Sequence, residues 1–174
     1  VFVHDRLLGI TRRISVATGG AEATGGFSSH PAISLSGRFV AFDSGATSLV
    51  PADTNAVRDV FVHDRDTDGD GVMDEAGSVA TTRVSVHANG SEAHGGDSVD
   101  PSITETGRWI AFASKAVDLV DGDTNGESDI FLPDQWLSRH HAAIEERADG
   151  YWVSDLNSKN GTLLNGEPVR EWHR

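Results

Sequence analysis

Carboxylates alternate at 66, 68 and 70 and return at 74 and 75 in Asp66-Thr67-Asp68-Gly69-Asp70-Gly71-Val72-Met73-Asp74-Glu75. Alternate carboxylates in a tight loop converge on one point. That arrangement suits a hard divalent cation, which takes about six to eight oxygen ligands. Gly71, at the sixth position, permits a sharp turn, and Val72, at the seventh, offers a backbone carbonyl. The candidate ligands are therefore Asp66, Asp68, Asp70, Val72 and Asp74, and the expected ion is Ca2+. Its role would be structural: it would pin the loop and neutralise carboxylate repulsion. A second, weaker set is Asp121, Asp123, Asn125 and Asp129, in the pattern D-x-D-x-N-G-x-x-D. The counterpart at 51–59 keeps only Asp53, Asn55 and Asp59. That reduced copy predicts that a loop of this kind can turn without a metal. The same residues also suit solvated acidic turns, since Asp-Gly and Asn-Gly are ordinary turn formers.

The loops must be held by something, and the chain repeats itself around them. Val1-Phe2-Val3-His4-Asp5-Arg6 recurs identically as Val60-Phe61-Val62-His63-Asp64-Arg65, and Ile130-Phe131-Leu132 begins a third copy. His30-Pro31 through Phe42 matches Asp100-Pro101 through Phe112. The first spacing is 59 residues and the last is 70, so an insertion near 66–76 is expected. The units read as short strands with period-two alternation separated by Gly, Asp and Asn turns. Ser36-Gly37-Arg38 and Thr106-Gly107-Arg108 sit where hairpin turns need positive φ. Phe39, Ala41, Trp109 and Ala111 should face one side, and Val40, Phe42, Ile110 and Phe112 the other. Both faces are apolar, as in a sheet packed between neighbouring sheets.

The bulk properties agree with an all-β chain rich in turns: 174 residues, 37% hydrophobic, with 19 glycines. The net charge is −13, and residues 1–135 carry 21 acidic against 9 basic side chains, so the acidity belongs to the repeats. An acidic surface argues against nucleic acid, which binds through lysine and arginine. With no cysteine, disulfides and thiolate metal sites are excluded. No apolar run approaches the length of a membrane-spanning helix, so membrane insertion is not expected. Catalysis is not expected either. His4 and His63 recur in identical strands and read as structural, and no third group orients Ser138 and His141. His140, His141 and His173 lack a metal-binding spacing.

The element P-x-I-[ST]-x-x-G-R-x-[VI]-A-F, present twice, is similar to the repeat motif of TolB-type β-propellers. One full blade, roughly 31–86, and parts of two others fall short of the roughly four blades a propeller needs to close. Open strand edges therefore predict oligomerisation. The acidic stretch 66–75 is similar to EF-hand calcium loops, although Gly77 stands where those loops place a bidentate glutamate.

A second resemblance covers the C-terminal part. Ser138-Arg139-His140-His141 has the spacing S-R-x-H, and Asp155 to Gly166 reads D-L-x-S-x-N-G-T-x-x-N-G. Together they resemble the core of a forkhead-associated (FHA) domain, a β-sandwich that reads phosphothreonine. Strands are expected at 142–146, 151–156, 162–164 and from 168. The resemblance implies that Ser138, Arg139 and Lys159 contact phosphate or peptide and that Asn160 bonds the peptide backbone. It gives His141, Gly161, Asn165 and Gly166 architectural roles. Asp129-Ile130-Phe131-Leu132 resembles the D-I-x-L strand that precedes S-R-x-H in FHA domains, which usually carry a Gly-Arg pair shortly before it; Val120 to Ser128 contains no arginine, and Gly107-Arg108 belongs to the repeat motif.

The sequence thus predicts an all-β chain with incomplete β-propeller blades over 1–129, followed by an incomplete FHA-type sandwich over 130–174. The implied function is protein–protein interaction with a phosphothreonine-containing partner, and not an enzyme. A calcium-stabilised propeller scaffold without phosphopeptide binding is the alternative, as is a chimeric fragment with no evolved function. The first implies the cytoplasm, and the second the periplasm or cell exterior. Val1 falls inside a repeat strand, so the chain reads as part of a longer product.

Overall fold

A computed structural model describes residues 1–123, 126–131, 142–147, 150–155, 162–164 and 167–169. The described residues are all-β, in thirteen strands. They fall into two compact units, Val1–Leu132 and Pro133–Arg174.

The first unit holds three antiparallel sheets. Strands β1 (Phe2–Asp5) and β2 (Ile10–Arg13) form a hairpin. Strands β3 (Ser28–Ile33), β4 (Phe39–Ser44), β5 (Asp59–Asp64) and β6 (Ala80–Arg83) form a four-stranded sheet in sequential order. Strands β7 (Ser98–Ile103), β8 (Ile110–Ser114) and β9 (Asp129–Phe131) form the third sheet, again in sequential order. The 66–76 insertion lengthens the connection between β5 and β6 to residues 65–79, against 6–9 between β1 and β2.

The alternation does what the sequence predicts. Val40 and Phe42 pack with Ile14, Ala46, Leu49 and Phe61, against Val1 and Val3 of the first sheet. Ala41 and Val60 pack on the other side, with Ala93, Ile110, Phe112, Ala116 and Leu119. The middle sheet is therefore covered on both faces. Fully burying one of these large apolar side chains contributes roughly 1.5–3 kcal/mol. Phe42 and Phe61 are paired across β4 and β5, and Phe112 and Phe131 across β8 and β9; both pairs stack with ring centroids 5.9 Å apart.

Two local devices shape each repeat. The register of β3 against β4 shifts between Ser29 and Ala32, and that of β7 against β8 between Val99 and Ser102. Each shift holds a proline preceded by a residue at positive φ, His30 at 46° and Asp100 at 54°. Proline has no amide hydrogen for the ladder, so the strand bulges there. Gly107 has φ 74° and lies directly against the Phe39 ring. It serves both the turn and the close approach of two sheets.

The second unit contains the hairpin β10 (Ala142–Arg147) with β11 (Gly150–Asp155) and the hairpin β12 (Thr162–Leu164) with β13 (Glu167–Val169). These match the four strands expected from the sequence to within a residue. Ser154 and Val169 are buried.

Candidate functional site

The long β5–β6 connection brings three of its five predicted ligands together. Oxygens of Asp66, Asp68 and Asp70 lie within 4.8 Å of one another. Asp66 is buried and accepts the amides of Gly69 (2.9 Å) and Gly71 (3.2 Å). Asp70 accepts the Val72 amide at 2.8 Å. Asp68 accepts the Ser78 hydroxyl at 2.7 Å, which holds its carboxyl below the usual aspartate range. Asp74 stands apart from this trio. Arg65 Nε donates to it at 2.9 Å and Arg65 Nη2 at 2.5 Å, while the Asp74 amide donates to the Arg65 carbonyl at 2.8 Å. Ion pairing at the base of the loop thus claims the carboxylate that sequence spacing assigned to the ion. No local pattern marks Arg65 for that role.

The reduced loop at 51–59 shows how a turn of this type closes around a cation supplied by the protein. The Arg83 guanidinium reaches Asp53 (3.5 Å), Asp59 (3.3 Å) and Glu92 (2.9 Å), and its side chain is almost wholly buried. Asn55 Nδ2 donates to Asp59 (3.0 Å) and to the Ala93 carbonyl (2.9 Å). Glu92 also accepts the hydroxyl and amide of Thr54. Those two bonds, with Arg83, lower its pKa to about 2. Burial pushes Asp59 the other way, opposed by the Ser85 hydroxyl and Arg83. In the second candidate loop, Asn125 lies outside the described residues. Among the described residues, Asp121, Asp123 and Asp129 are not part of a converging ligand trio.

A further trio was not legible in the sequence. Asp43 is completely buried and accepts from His30 Nδ1 (2.7 Å), Ser29 Oγ (2.9 Å), the Asp100 amide (3.1 Å) and Arg58. Asp100 lies 3.3 Å from the same His30 nitrogen. Its sequence signal was the equivalence of His30 and Asp100, each preceding a bulge proline. The Arg58 guanidinium already neutralises Asp43, so this cluster joins sheets through the protein's own cation.

His63 does not activate a nucleophile. His63 Nδ1 lies 2.8 Å from Thr81 Oγ1, and that hydroxyl donates to the Val16 carbonyl at 2.6 Å. Thr81 has one proton and gives it to Val16, so it accepts from His63. His4 and Thr11 repeat the contact at 2.8 Å.

Of the residues assigned to phosphopeptide recognition, Ser138, Arg139, Lys159 and Asn160 lie outside the described residues, as do His141, Gly161, Asn165 and Gly166. In chain order the first group falls between β9 and β10 or between β11 and β12. Arg108 belongs to the β7–β8 turn, where its guanidinium stacks 4.5 Å over the Trp109 ring.

Comparison with known proteins places a family on the C-terminal part. Residues 117–174 match the family model of the FHA domain. The chain is 50% identical over 55 residues to an oxoglutarate dehydrogenase inhibitor of Corynebacterium jeikeium, covering 29% of this chain and 38% of that protein. It is 46% identical over 43 residues to the glycogen accumulation regulator GarA of Mycolicibacterium smegmatis, covering 25% and 27%. It is 46% identical over 41 residues to the FHA domain-containing protein FhaA of Mycobacterium tuberculosis, covering 24% and 8%. The chain thus spans well under half the length of these relatives. No solved structure matches it. The family match begins at Val117 and so takes in β9, which pairs with β8 in the third sheet.

Proposed function

We propose that this chain is a protein–protein interaction module whose C-terminal part recognises a phosphothreonine-containing segment of a partner. The observation that carries this reading is the FHA match over 117–174 together with Ser138-Arg139-x-His141 and Lys159-Asn160-Gly161 inside it. A phosphate dianion needs charged and hydroxyl donors held at fixed positions. By family resemblance, Ser138, Arg139 and Lys159 supply these, and Asn160 holds the peptide backbone beside them. Two relatives are named as an inhibitor and a regulator, which supports binding and not catalysis as the mode of action. The repeats act as a scaffold of propeller type. Their support is the sequential four-stranded sheet β3 to β6 with apolar faces on both sides.

The test is titration of a labelled phosphothreonine peptide library against the whole chain, with unphosphorylated peptides as control. Ser138→Ala should weaken binding by at least tenfold, since a hydrogen bond to a charged group is worth about 1.5–3 kcal/mol, and Asn160→Ala should weaken it less, since a bond to the neutral peptide backbone is worth about 0.5–1.5 kcal/mol. Equal binding of both peptide forms would sink the reading.

A second reading rests on the convergence of Asp66, Asp68 and Asp70: a calcium-stabilised scaffold. Melting temperature should then rise with calcium over chelator. The rise should vanish in the double variant Asp68→Ala with Asp70→Ala, and an identical melt in chelator rules this reading out.

A further inference from the structure

His63 is only 2% exposed, and its Nδ1 hydrogen is committed to Thr81 Oγ1. That fixes the tautomer: in the neutral ring Nε2 carries a lone pair and no hydrogen. Nε2 has no hydrogen-bond partner. Among the described residues, however, Arg58 Nε is the one side-chain atom that is both sealed from solvent and unpaired. Nε2 therefore reaches accessible space, and His63 lines a cavity of about 280 Å³.

The cavity lies where β2 and the loop after it meet the β5–β6 connection. Two of its charged side chains are already engaged: Arg13 pairs with Glu22, and Asp74 with Arg65. Arg12 and Glu75 also line it. Among the described residues neither has an ion pair or a side-chain hydrogen bond, with each other or elsewhere. A cation and an anion thus border one small space without meeting. Chain joined to β1 in the manner of β3 and β4 would add on the side of β1 away from β2, and so away from the cavity. The wall that carries Glu75 belongs to the 66–76 insertion, which the β1–β2 turn lacks. The cavity is therefore an addition to the repeat and not a part of its packing.

We propose that this cavity binds a small zwitterion of the α-amino acid type. Its carboxylate pairs with Arg12, its ammonium pairs with Glu75, and one ammonium hydrogen is donated to His63 Nε2. The planar guanidinium fork suits a carboxylate. Val16 and Val79 in the lining offer apolar surface to an aliphatic side chain. The volume is close to the lower end of small-molecule sites, about 300 Å³. Burial, outweighing the attraction of Asp74, holds His63 below the usual histidine value. The ring is then neutral at pH 7 and accepts a hydrogen bond. A simple anion suits the site less well, because its oxygen lone pairs would face that of Nε2.

The experiment is calorimetric titration of the whole chain at pH 7 with L-valine, its methyl ester and its N-trimethyl derivative. L-valine should bind with a Kd of about 0.1–1 mM, as suits so small a ligand. The ester lacks the carboxylate and the trimethyl compound lacks the N–H, so each should bind about tenfold more weakly or worse. Arg12→Gln and Glu75→Gln should weaken L-valine binding by a similar factor. Both side chains are exposed and unpaired, so the variants should melt like the wild type. In the wild type labelled with 15N-histidine, the His63 Nε2 resonance should move with L-valine and stay with the trimethyl compound. That reading decides the matter if either variant melts differently. No binding of L-valine up to about 10 mM overturns the proposal. So does binding that survives either substitution, or a trimethyl compound that binds as well as L-valine.

Discussion

Val1–Arg6 and Val60–Arg65 are the same six residues in two different places. Both form a strand, and in both the histidine Nδ1 lies 2.8 Å from a threonine hydroxyl on the neighbouring strand. Beyond that they part. Phe61 and His63 are buried, and Phe2 and His4 are exposed. β5 lies between β4 and β6 and is covered on both faces, whereas among the described residues β1 pairs only with β2. Identical sequence therefore fixes the local hydrogen-bonded pair, while burial comes from what the rest of the chain stacks against it.

The comparison breaks most visibly at phenylalanine. Phe61→Ala should cost about 3–5 kcal/mol, the range for emptying a buried aromatic site. Phe2→Ala should stay within about 0.5 kcal/mol, as for other exposed substitutions. Urea unfolding midpoints at dilute protein measure both, and equal costs would mean the two strands share one environment.

The middle and third sheets extend the contrast. Where the middle sheet pairs Asp43 with Arg58, the third has Ala113 and Ser128 at the equivalent positions. Arg58→Ser alone should cost about 3 kcal/mol, because it leaves a buried carboxylate without its cation. Adding Asp43→Ala, which copies the third sheet, should restore part of that loss. A double-mutant cycle reads the difference, and additive costs would show that the pair is not coupled.

Smaller effects appear on titration. Burial holds His63 below the usual histidine value. The unfolded chain therefore takes up its proton first, and stability should fall as pH drops below about 6.5. His63→Gln should flatten that part of the profile. Glu92 is shifted in the same direction, here by its hydrogen bonds from Thr54 and by Arg83. Its contribution is present above the unfolded glutamate value of about 4.3 and is lost as pH falls towards about 2. Thermal melts of Glu92→Gln across pH 2–6 should show a weaker acid dependence than the parent.

The smallest change concerns a turn. Ala52 and Ala56 both have φ 58°, and their counterparts Gly122 and Gly126 have φ 83° and 68°. Ala56→Gly should raise stability by up to about 1 kcal/mol, since a side chain at positive φ is strained. A lower unfolding midpoint would show that the gain in unfolded-chain entropy outweighs the relief.

Much of this was readable in advance for a local reason. Strand alternation, the Gly37 and Gly107 turns, the four strands of the second unit and the convergence of Asp66, Asp68 and Asp70 depend on neighbours within a few residues. The bulges were harder to see, although Pro31 and Pro101 were their signal. The partners of the charges could not be read at all. Arg65 takes Asp74 from across a hairpin, Arg83 gathers Asp53, Asp59 and Glu92, and Arg58 reaches Asp43 across the sheet.

What the sequence determined by itself was the all-β repeat, its apolar faces and the motif that resembles an FHA core. Backbone sterics and side-chain period act over a few residues, and they are written in the order of the chain. Only the tertiary structure decided which copy of Val-Phe-Val-His-Asp-Arg is core and which acidic loop closes on a guanidinium. Burial and charge pairing depend on groups brought close from distant positions, and two identical hexapeptides hold no record of which neighbours they will meet.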